Sequence, residues 1–346
     1  MMKRRPRPTM KDVAEHARVS VSTVSYVLND SGPVAPERRE RVLDAVRVLE
    51  YSPNESARNL KRRSASAIGL VVPDLTNQFF ALIAEGVQRA ASEQGVLVVL
   101  CAPEATELAE AHHAKLLRSQ RLDGVIYLTS TGTLPTAVLE LARIGPVVLV
   151  DEQIPGFDLP AVVCDSRRGA REVARHVIDN GHERITVIGG PTAMWTADQR
   201  LAGYREAVAA TGRDPDAMPV LVGDYHQDSG FTLAATALAG PAGERPTALL
   251  CANDMMAIGA LEYCKSVGLR VPQDVSIVGF DDLPVSVLLT PRLTTVRQPA
   301  RDMGAQAALC LLDLMHDGSN GVPPTPAVLS TSLQLRDSVA PPAGTS

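Results

Sequence analysis

The chain has 346 residues, 45% hydrophobic and 21% charged, with a formal net charge of −5 and a mean hydropathy of +0.03. This length suits two or three domains at roughly 100–200 residues each, and the composition excludes fibrous and disordered classes. The longest apolar runs, near residues 96–102 and 146–150, are strand-sized and well short of the roughly 18 residues of a membrane span, so no membrane partner is expected.

Charge is unevenly spread. Residues 1–63 hold 14 Lys+Arg against 8 Asp+Glu, a net of +6, which leaves −11 for the remainder. A basic head on an acidic body is the distribution of a nucleic-acid-binding segment joined to an unrelated domain. Within the head, Thr9-Met10-Lys11-Asp12 has the form of a capping box, and Val13, Ala14 and Ala17 recur at helical spacing, which predicts a helix over 10–17. Ser20 is placed to cap a second helix over 21–28, whose buried side is Val24, Val27 and Leu28 and whose outer side is Val21, Ser22, Thr23, Ser25 and Tyr26. A third helix over 36–50 starts at Pro36 and carries Val42, Ala45, Val46 and Leu49 on one face. Two short helices joined by a tight turn and braced by a third form a helix-turn-helix. The outer face of the second helix is small and hydrogen-bonding, which suits close approach to base edges. A plain three-helix bundle with a hydroxyl-rich exposed face is the alternative.

Tyr51-Ser52-Pro53-Asn54 breaks the third helix. The following 55–61 stretch is too short to be stable alone, since isolated helices below about 12 residues are marginal. Arg58, Lys61, Arg62 and Arg63 surround Leu60, and a leucine among cations fits a wedge entering a minor-groove step. From residue 67 onward the pattern changes. Apolar runs at 68–72, 96–100, 124–128, 147–150, 185–188, 249–252 and 275–279 alternate with helical stretches at 79–94, 167–180, 200–211, 254–268 and 301–315. That alternation predicts a doubly wound α/β architecture, and its length predicts two similar lobes with a break near Cys164-Asp165.

The segments Thr9-Met10-Lys11-Asp12-Val13-Ala14, Val19-Ser20-Val21-Ser22-Thr23-Val24-Ser25-Tyr26-Val27-Leu28-Asn29 and Ala57-Arg58-Asn59-Leu60 resemble the lactose-repressor (LacI/GalR) family of bacterial transcription regulators. Ile68-Gly69-Leu70-Val71-Val72-Pro73, Asn253-Asp254, Val278-Gly279-Phe280-Asp281-Asp282 and Leu293-Thr294-Thr295-Val296 continue the likeness in order over essentially the whole chain. The resemblance implies a periplasmic-binding-protein-like core of two lobes, joined by crossovers near residue 164, Thr295 and Ser330. It also implies a homodimer on a palindromic operator of double-stranded DNA, with a hinge helix that orders only on that DNA. The corresponding domains are a head over 1–51, a hinge helix and linker over 52–66, and a core over 67–336. Within the core, the N-lobe is about 67–164 plus 297–328 and the C-lobe about 165–294 plus 329–336. Residues 337–346 are short and rich in Pro, Ala and Gly; they read as a flexible tail, without the added leucine-rich helix that a tetramer would use.

Carried over by position, Thr9, Ser20, Val21, Ser22, Thr23, Ser25, Tyr26 and Asn29 fall on the DNA-contacting part of the head, with Val21, Ser22 and Ser25 on the base-reading face. Asn54, Ala57, Arg58, Leu60 and Lys61 fall on the hinge, with Leu60 as the wedge. Two residues depart from the family pattern. Tyr26 stands where many members place Arg, which removes a bidentate guanine contact. Ala35 stands where a hydroxyl usually caps the third helix, a loss of roughly 1 kcal/mol.

Ligands of open α/β sheets bind beyond the carboxyl ends of the strands, where Asp74, Asp151, Asn253, Asp254 and Asp281 lie. An Asn or Asp there also serves simply to cap the next helix. The resemblance adds Phe79, Phe80, Met194, Trp195, Thr196, Arg200, Tyr225 and Gln298 to Asp151, Asn253 and Asp281 as effector-cleft positions. Carboxylates and amides can exchange hydrogen bonds with vicinal hydroxyls, Arg200 can fork across two oxygens, and Phe79, Trp195 or Tyr225 can cover the apolar face of a pyranose. Met194 stands where a purine-binding member of the family has a cation, so a sugar effector is expected. For Phe79-Phe80 the competing reading is a helix start packed on the core.

Other classes find little support. Five scattered cysteines without a C-x-x-C pair read as reduced core thiols, and the histidines have no partners at ligand spacing, so neither metal nor cofactor is expected. There is no G-x-S-x-G, no P-loop and no G-x-G-x-x-G after the first strand, which argues against an enzyme. A solute-binding protein would share the core but would need a secretion signal, and Lys11, Asp12, Glu15 and His16 interrupt the place for its apolar segment. A cytoplasmic location is expected.

Overall fold

Apolar residues at three- and four-residue spacing make a three-helix unit of Met10–Ala17, Val21–Asn29 and Pro36–Val48, and the alternating pattern further along makes two parallel-sheet lobes. The computed structural model describes residues 8–29, 32–49, 51, 67–102, 122–129, 132–133, 136–143, 145–154, 156–317 and 326–343. The chain divides into two compact units, 1–64 and 65–346. The hinge positions Asn54, Ala57, Arg58, Leu60 and Lys61 lie outside the described residues.

In the first unit, α1 (Met10–Ala17) opens on the capping box: Thr9 Oγ1 accepts from Asp12 N at 3.4 Å, and the Asp12 carboxylate accepts from Thr9 N at 2.6 Å. α2 (Val21–Asn29) is capped by Ser20, whose Oγ accepts from Thr23 N at 3.1 Å. α3 (Pro36–Val48) starts on Pro36 without any side-chain cap from Ala35 and ends two residues before the expected 50. Val13, Ala17, Val24, Val27, Val42 and Ala45 meet in its core. Tyr51, expected only to end the third helix, joins that core at 8% exposure.

The N-lobe of the second unit comprises β1 (Ala67–Val71), α4 (Gln78–Glu93), β2 (Leu97–Cys101), β3 (Val125–Tyr127), α5 (Thr136–Ala142), β4 (Val147–Val150) and β5 (Ala161–Cys164). The C-lobe comprises α6 (Ser166–Asp179), β6 (Ile185–Gly189), α7 (Trp195–Ala209), β7 (Val220–Val222), α8 (Gln227–Ala237), β8 (Ala248–Cys251), α9 (Asp254–Ser266) and β9 (Ser276–Val278). The chain then crosses back through β10 (Thr295–Arg297), α10 (Ala300–Asp317) and β11 (Ala327–Leu329), and finishes in the C-lobe with β12 (Ser332–Gln334). Strand order is β11-β5-β4-β3-β1-β2 in the first sheet and β7-β6-β8-β9 in the second, all parallel, while β10 and β12 pair antiparallel at the crossover. β4, β5 and β8 are buried at every position, which is why they read as continuous apolar runs.

Glycines let the helices cross closely. A Cβ on Gly86 would run into Arg301 O and one on Gly304 into Ile83 O, so α4 and α10 touch backbone to backbone. Gly203 does the same between α6 and α7, and Gly230 and Gly259 between α8 and α9. The crossovers are tied to each other: Asp165 N donates to Leu329 O at 2.9 Å, and Thr331 Oγ1 to Asp165 O at 3.2 Å.

Three expectations need correction. Helix α7 begins at Trp195, five residues before the expected 200, which places Trp195 and Thr196 on its first turn. The N-lobe sheet runs on to Leu329, because β11 pairs with β5. Residues 337–343 are not a flexible tail. Ser338 is fully buried, its Oγ donating to Ile277 O at 2.6 Å and accepting from Thr294 N at 2.8 Å, and Ile277 N donates to Ser338 O at 3.0 Å. This segment bonds to the edge of β9 at Ile277, beside the bridge that Thr294 makes with Val278, and such edge pairing leaves no trace in a Pro/Ala/Gly-rich composition. All five cysteines are free, with Cys164, Cys251 and Cys264 buried.

Candidate functional site

Two surfaces collect the sequence-predicted residues. The first is the outer face of α2, where Val21 (42% exposed), Ser22 and Tyr26 (49%) face outward, with Thr23 and Ser25 half-buried beside them. Three hydroxyls named for this surface also serve the fold: Thr9 and Ser20 cap helices, and Ser20 Oγ and Thr23 Oγ1 lie 2.8 Å apart. Helix α2 carries no charged side chain, so it presents no charge to repel a polyanion. The Tyr26 ring lies over Gly32, where an added Cβ would approach it to 3.2 Å. Asn29 ends α2; its side chain lies outside the described residues.

The second is the cleft between the lobes, at the carboxyl ends of their strands. Asp151 follows β4, Tyr225 follows β7, Asn253 follows β8 and Asp281 follows β9, while Met194 to Arg200 enter from the start of α7. Asp151, Ala193, Tyr225 and Asp281 take positive φ values of 72°, 79°, 71° and 117°. Such conformations cost about 1–3 kcal/mol each in a residue with a Cβ, and they persist where surrounding packing over-determines the backbone.

At the centre is Arg200, 3% exposed. Its Nη1 donates to Ala252 O at 2.6 Å, its Nη2 lies 3.9 Å from Asp281 Oδ1, and its Cζ is 4.2 Å from the centroid of the Phe280 ring and 5.7 Å from that of Tyr225. Asp281 Oδ1 accepts from Gln298 Nε2 at 2.7 Å. Three sealed atoms find no protein partner: Asp151 Oδ1, Arg200 Nε and Gln298 Oε1. A buried polar atom left without a partner costs about 1–3 kcal/mol, so a ligand that satisfies all three gains accordingly. Burial pushes the carboxyls of Asp151 and Asp281 up from their ordinary range, and the Arg200 charge opposes this in both.

Sequence reasoning missed Glu152. It is 1% exposed, accepts from Thr196 N at 3.3 Å and bonds the Thr196 hydroxyl, linking the end of β4 to the first turn of α7. Burial, and next the neighbouring Asp151, push its carboxyl up to about 8. The available signal was an Asp-Glu pair directly after a strand-sized apolar run.

Several expected contacts turn out differently. Phe79, 3% exposed, lies in the N-lobe core with Phe80 packed against the same cluster, so the core reading holds and Phe79 is no stacking platform. The reason is local: Asn77 caps α4 and turns its first apolar side chain inward. Trp195 packs against the N-lobe cluster containing Val71 and Tyr127, which makes it a contact between lobes. Asn253 is engaged at both ends, its Oδ1 capping α9 through Met256 N (2.9 Å) and its Nδ2 donating to Tyr225 O (2.9 Å), so it positions Tyr225. Met194 is buried and Thr196 is held by Glu152. The lobes also meet where Gly132 abuts Ala193 O, and His226 Nδ1 lies 4.0 Å from Asp74 Oδ2. Among the described residues no His/Cys/Asp/Glu group has metal-holding geometry, and no helix is long and apolar enough to cross a membrane.

Residues 9–54 match the profile of bacterial regulatory proteins of the lacI family, and residues 174–339 that of a periplasmic binding protein-like domain. The chain is 35% identical over 316 residues to the HTH-type transcriptional repressor CytR of Escherichia coli K12, covering 90% of this chain and 92% of that one. Among solved structures, it resembles the Lac repressor dimer bound to operator and the anti-inducer ONPF, with a TM-score of 0.83, 30% identity and coverage of 97% and 100%. It also resembles the transcriptional regulator CelR in complex with cellobiose, with a TM-score of 0.70, 33% identity and coverage of 96% and 100%.

Proposed function

Since the chain belongs to the lacI family of bacterial regulatory proteins, we propose that it is a cytoplasmic transcriptional repressor that binds a palindromic operator as a homodimer and is switched by a sugar held between its lobes. The observation that carries the effector reading is the trio of sealed, partnerless atoms on Asp151, Arg200 and Gln298. Two acceptors and one donor match the mixed hydrogen bonding of neighbouring sugar hydroxyls. A neighbour solved with cellobiose and another solved as a dimer on operator support both halves of the proposal.

Val21, Ser22 and Ser25 read base edges, Thr23 and Asn29 contact the backbone, and the hinge residues Asn54, Ala57, Arg58, Leu60 and Lys61 enter the minor groove. Closure of the lobes on a ligand favours one lobe angle, which sets the spacing of the paired hinges and so the operator affinity. The relatives are repressors, and no cleft residue needs a catalytic role to account for its position.

Operator selection from random DNA, with and without a sugar panel, tests this reading. The expected result is an enriched palindrome whose affinity changes with one sugar. Enrichment without two-fold symmetry would overturn the dimer-operator part, and a response to nucleobases alone would overturn the sugar part.

A further inference from the structure

A helix N-terminus presents unpaired N–H groups and the positive end of the helix dipole, and so attracts anions. In the cleft that position belongs to α7, a helix of 15 residues whose N-cap, Met194, offers no side-chain acceptor. It is already filled from within the protein. Glu152 reaches across from the other lobe, accepts from Thr196 N with its two oxygens at 3.4 and 3.3 Å, and bonds the Thr196 hydroxyl as well. Glu152 and Thr196 are 1% and 2% exposed, so this contact is dry.

The surroundings add to the effect. Asp151, Glu152 and Asp281 are gathered about the single guanidinium of Arg200, which is partly committed already to Ala252 O and Asp281. The partnerless atoms are the acceptors Asp151 Oδ1 and Gln298 Oε1 and the donor Arg200 Nε, and Arg200 and Gln298 are each 3% exposed. A ligand that completes them brings more donors than acceptors. Hydroxyls and ammonium groups can do this, whereas a phosphate-ester dianion or a carboxylate brings acceptors alone, and inorganic phosphate brings mostly acceptors.

We infer that Glu152 sets the charge class of the effector: by occupying the N-terminus of α7 it excludes anionic ligands, sugar phosphates and nucleotides included, and restricts the cleft to uncharged or amine-bearing polyols. This rests on the cleft being the effector site and narrows what it accepts. The residue acts on specificity through the amide groups it covers.

The test uses the full chain and inorganic phosphate alone, in thermal unfolding against chloride at matched ionic strength. Wild type is expected to show only the small, non-saturating rise in Tm that phosphate gives by exclusion from protein surfaces, with no saturable component. Glu152→Ser vacates the α7 amides and gains saturable stabilisation by phosphate, with at least about tenfold tighter binding than wild type. Glu152→Gln, which keeps the shape and one acceptor oxygen for the Thr196 amide and hydroxyl, stays blind to phosphate. Saturable phosphate binding by wild type, or no gain in a folded Glu152→Ser, overturns the inference. Should Glu152→Ser not fold, paired probes on wild type decide: D-ribose against D-ribose 5-phosphate, and cytidine against cytidine 5′-monophosphate. A phosphate ester that binds better than its parent overturns the charge rule while leaving a sugar effector in place. Cytidine that binds when D-ribose does not, and better than cytidine 5′-monophosphate, removes the simple-sugar reading and upholds the charge rule.

Discussion

Asp254 and Thr295 meet at 2.5 Å, where the start of α9 touches the crossover strand β10. The other oxygen of Asp254 accepts from Leu283 N at 2.8 Å and Ser286 Oγ at 2.6 Å, and Leu283 is seated in the N-lobe core. One buried carboxylate therefore fastens the C-lobe both to a crossover and to a loop held by the other lobe. Asp254→Ala strands three donors in a dry site and is expected to cost about 3 kcal/mol or more. Urea unfolding should show a lower midpoint with an unchanged slope; an unchanged midpoint would mean the tie contributes nothing.

The Glu152 carboxyl ordinarily titrates at 4.5 and is pushed up to about 8 by burial and then by Asp151. The folded chain thus holds this proton more tightly than the unfolded chain does. The associated stability is complete below the unfolded value and is lost as pH rises through the folded one. Wild type should therefore lose Tm relative to Glu152→Gln progressively between about pH 4.5 and pH 8 and run level with it above that, by about 2–4 °C for each kcal/mol involved. Parallel Tm–pH curves for the two proteins would sink this assignment.

Arg200→Lys keeps the cation and loses the planar fork over Phe280. Effector affinity is expected to fall by more than about tenfold, because a fork of fixed donors is replaced by a flexible point charge. Operator affinity without effector should stay within a few-fold of wild type. Fluorescence anisotropy of labelled operator, titrated with effector, separates the two quantities.

In the head, capping and reading should come apart. Thr9→Ala removes a capping box and is expected to lower the stability of α1 by about 1 kcal/mol without altering base preference. Ser22→Ala touches no described hydrogen bond of the fold and should weaken operator binding at unchanged stability. Hydrogen exchange of the α1 amides and operator competition assays measure the two effects; a shifted base preference in Thr9→Ala would contradict the division.

Truncation after Arg336 removes Ser338 and leaves the Ile277 backbone N–H and C=O of β9 without their partners. The Thr294 amide loses its acceptor, and so does the Ser276 hydroxyl, which donates to Ala340 O at 3.2 Å. A lower Tm and faster amide exchange in β9 are expected. An unaltered Tm would show that this segment merely lies on the lobe.

The three head helices are legible in the sequence because capping and apolar spacing are local properties; α1 is expected and found over 10–17. The buried central strands are legible for a similar reason, and β4 is found over the expected 147–150. Short strands such as β7 and β12 are not, since they are only half-buried and take their order from pairing with distant segments. The cleft is legible as a set of strand-end residues, but the division of labour within it is tertiary. Asn253 turns out to position Tyr225, Phe79 faces the core, and Glu152 matters only because Thr196 from the opposite lobe folds onto it. The close crossing at Gly86 and Gly304 joins helices far apart in the chain, and no local pattern announces it.

The last 50 or so residues close both lobes: α10 and β11 complete the first, and β12 with residues 337–343 completes the second. During synthesis, then, neither lobe can finish until β11 and the segment around Ser338 have emerged, whereas the head has all its core residues by Tyr51. At about 5–20 residues per second, a folded head trails an unfinished body for on the order of tens of seconds. A nascent chain in that interval has one reading helix and no partner to set operator half-site spacing, so the ability to repress comes last, with the final strand.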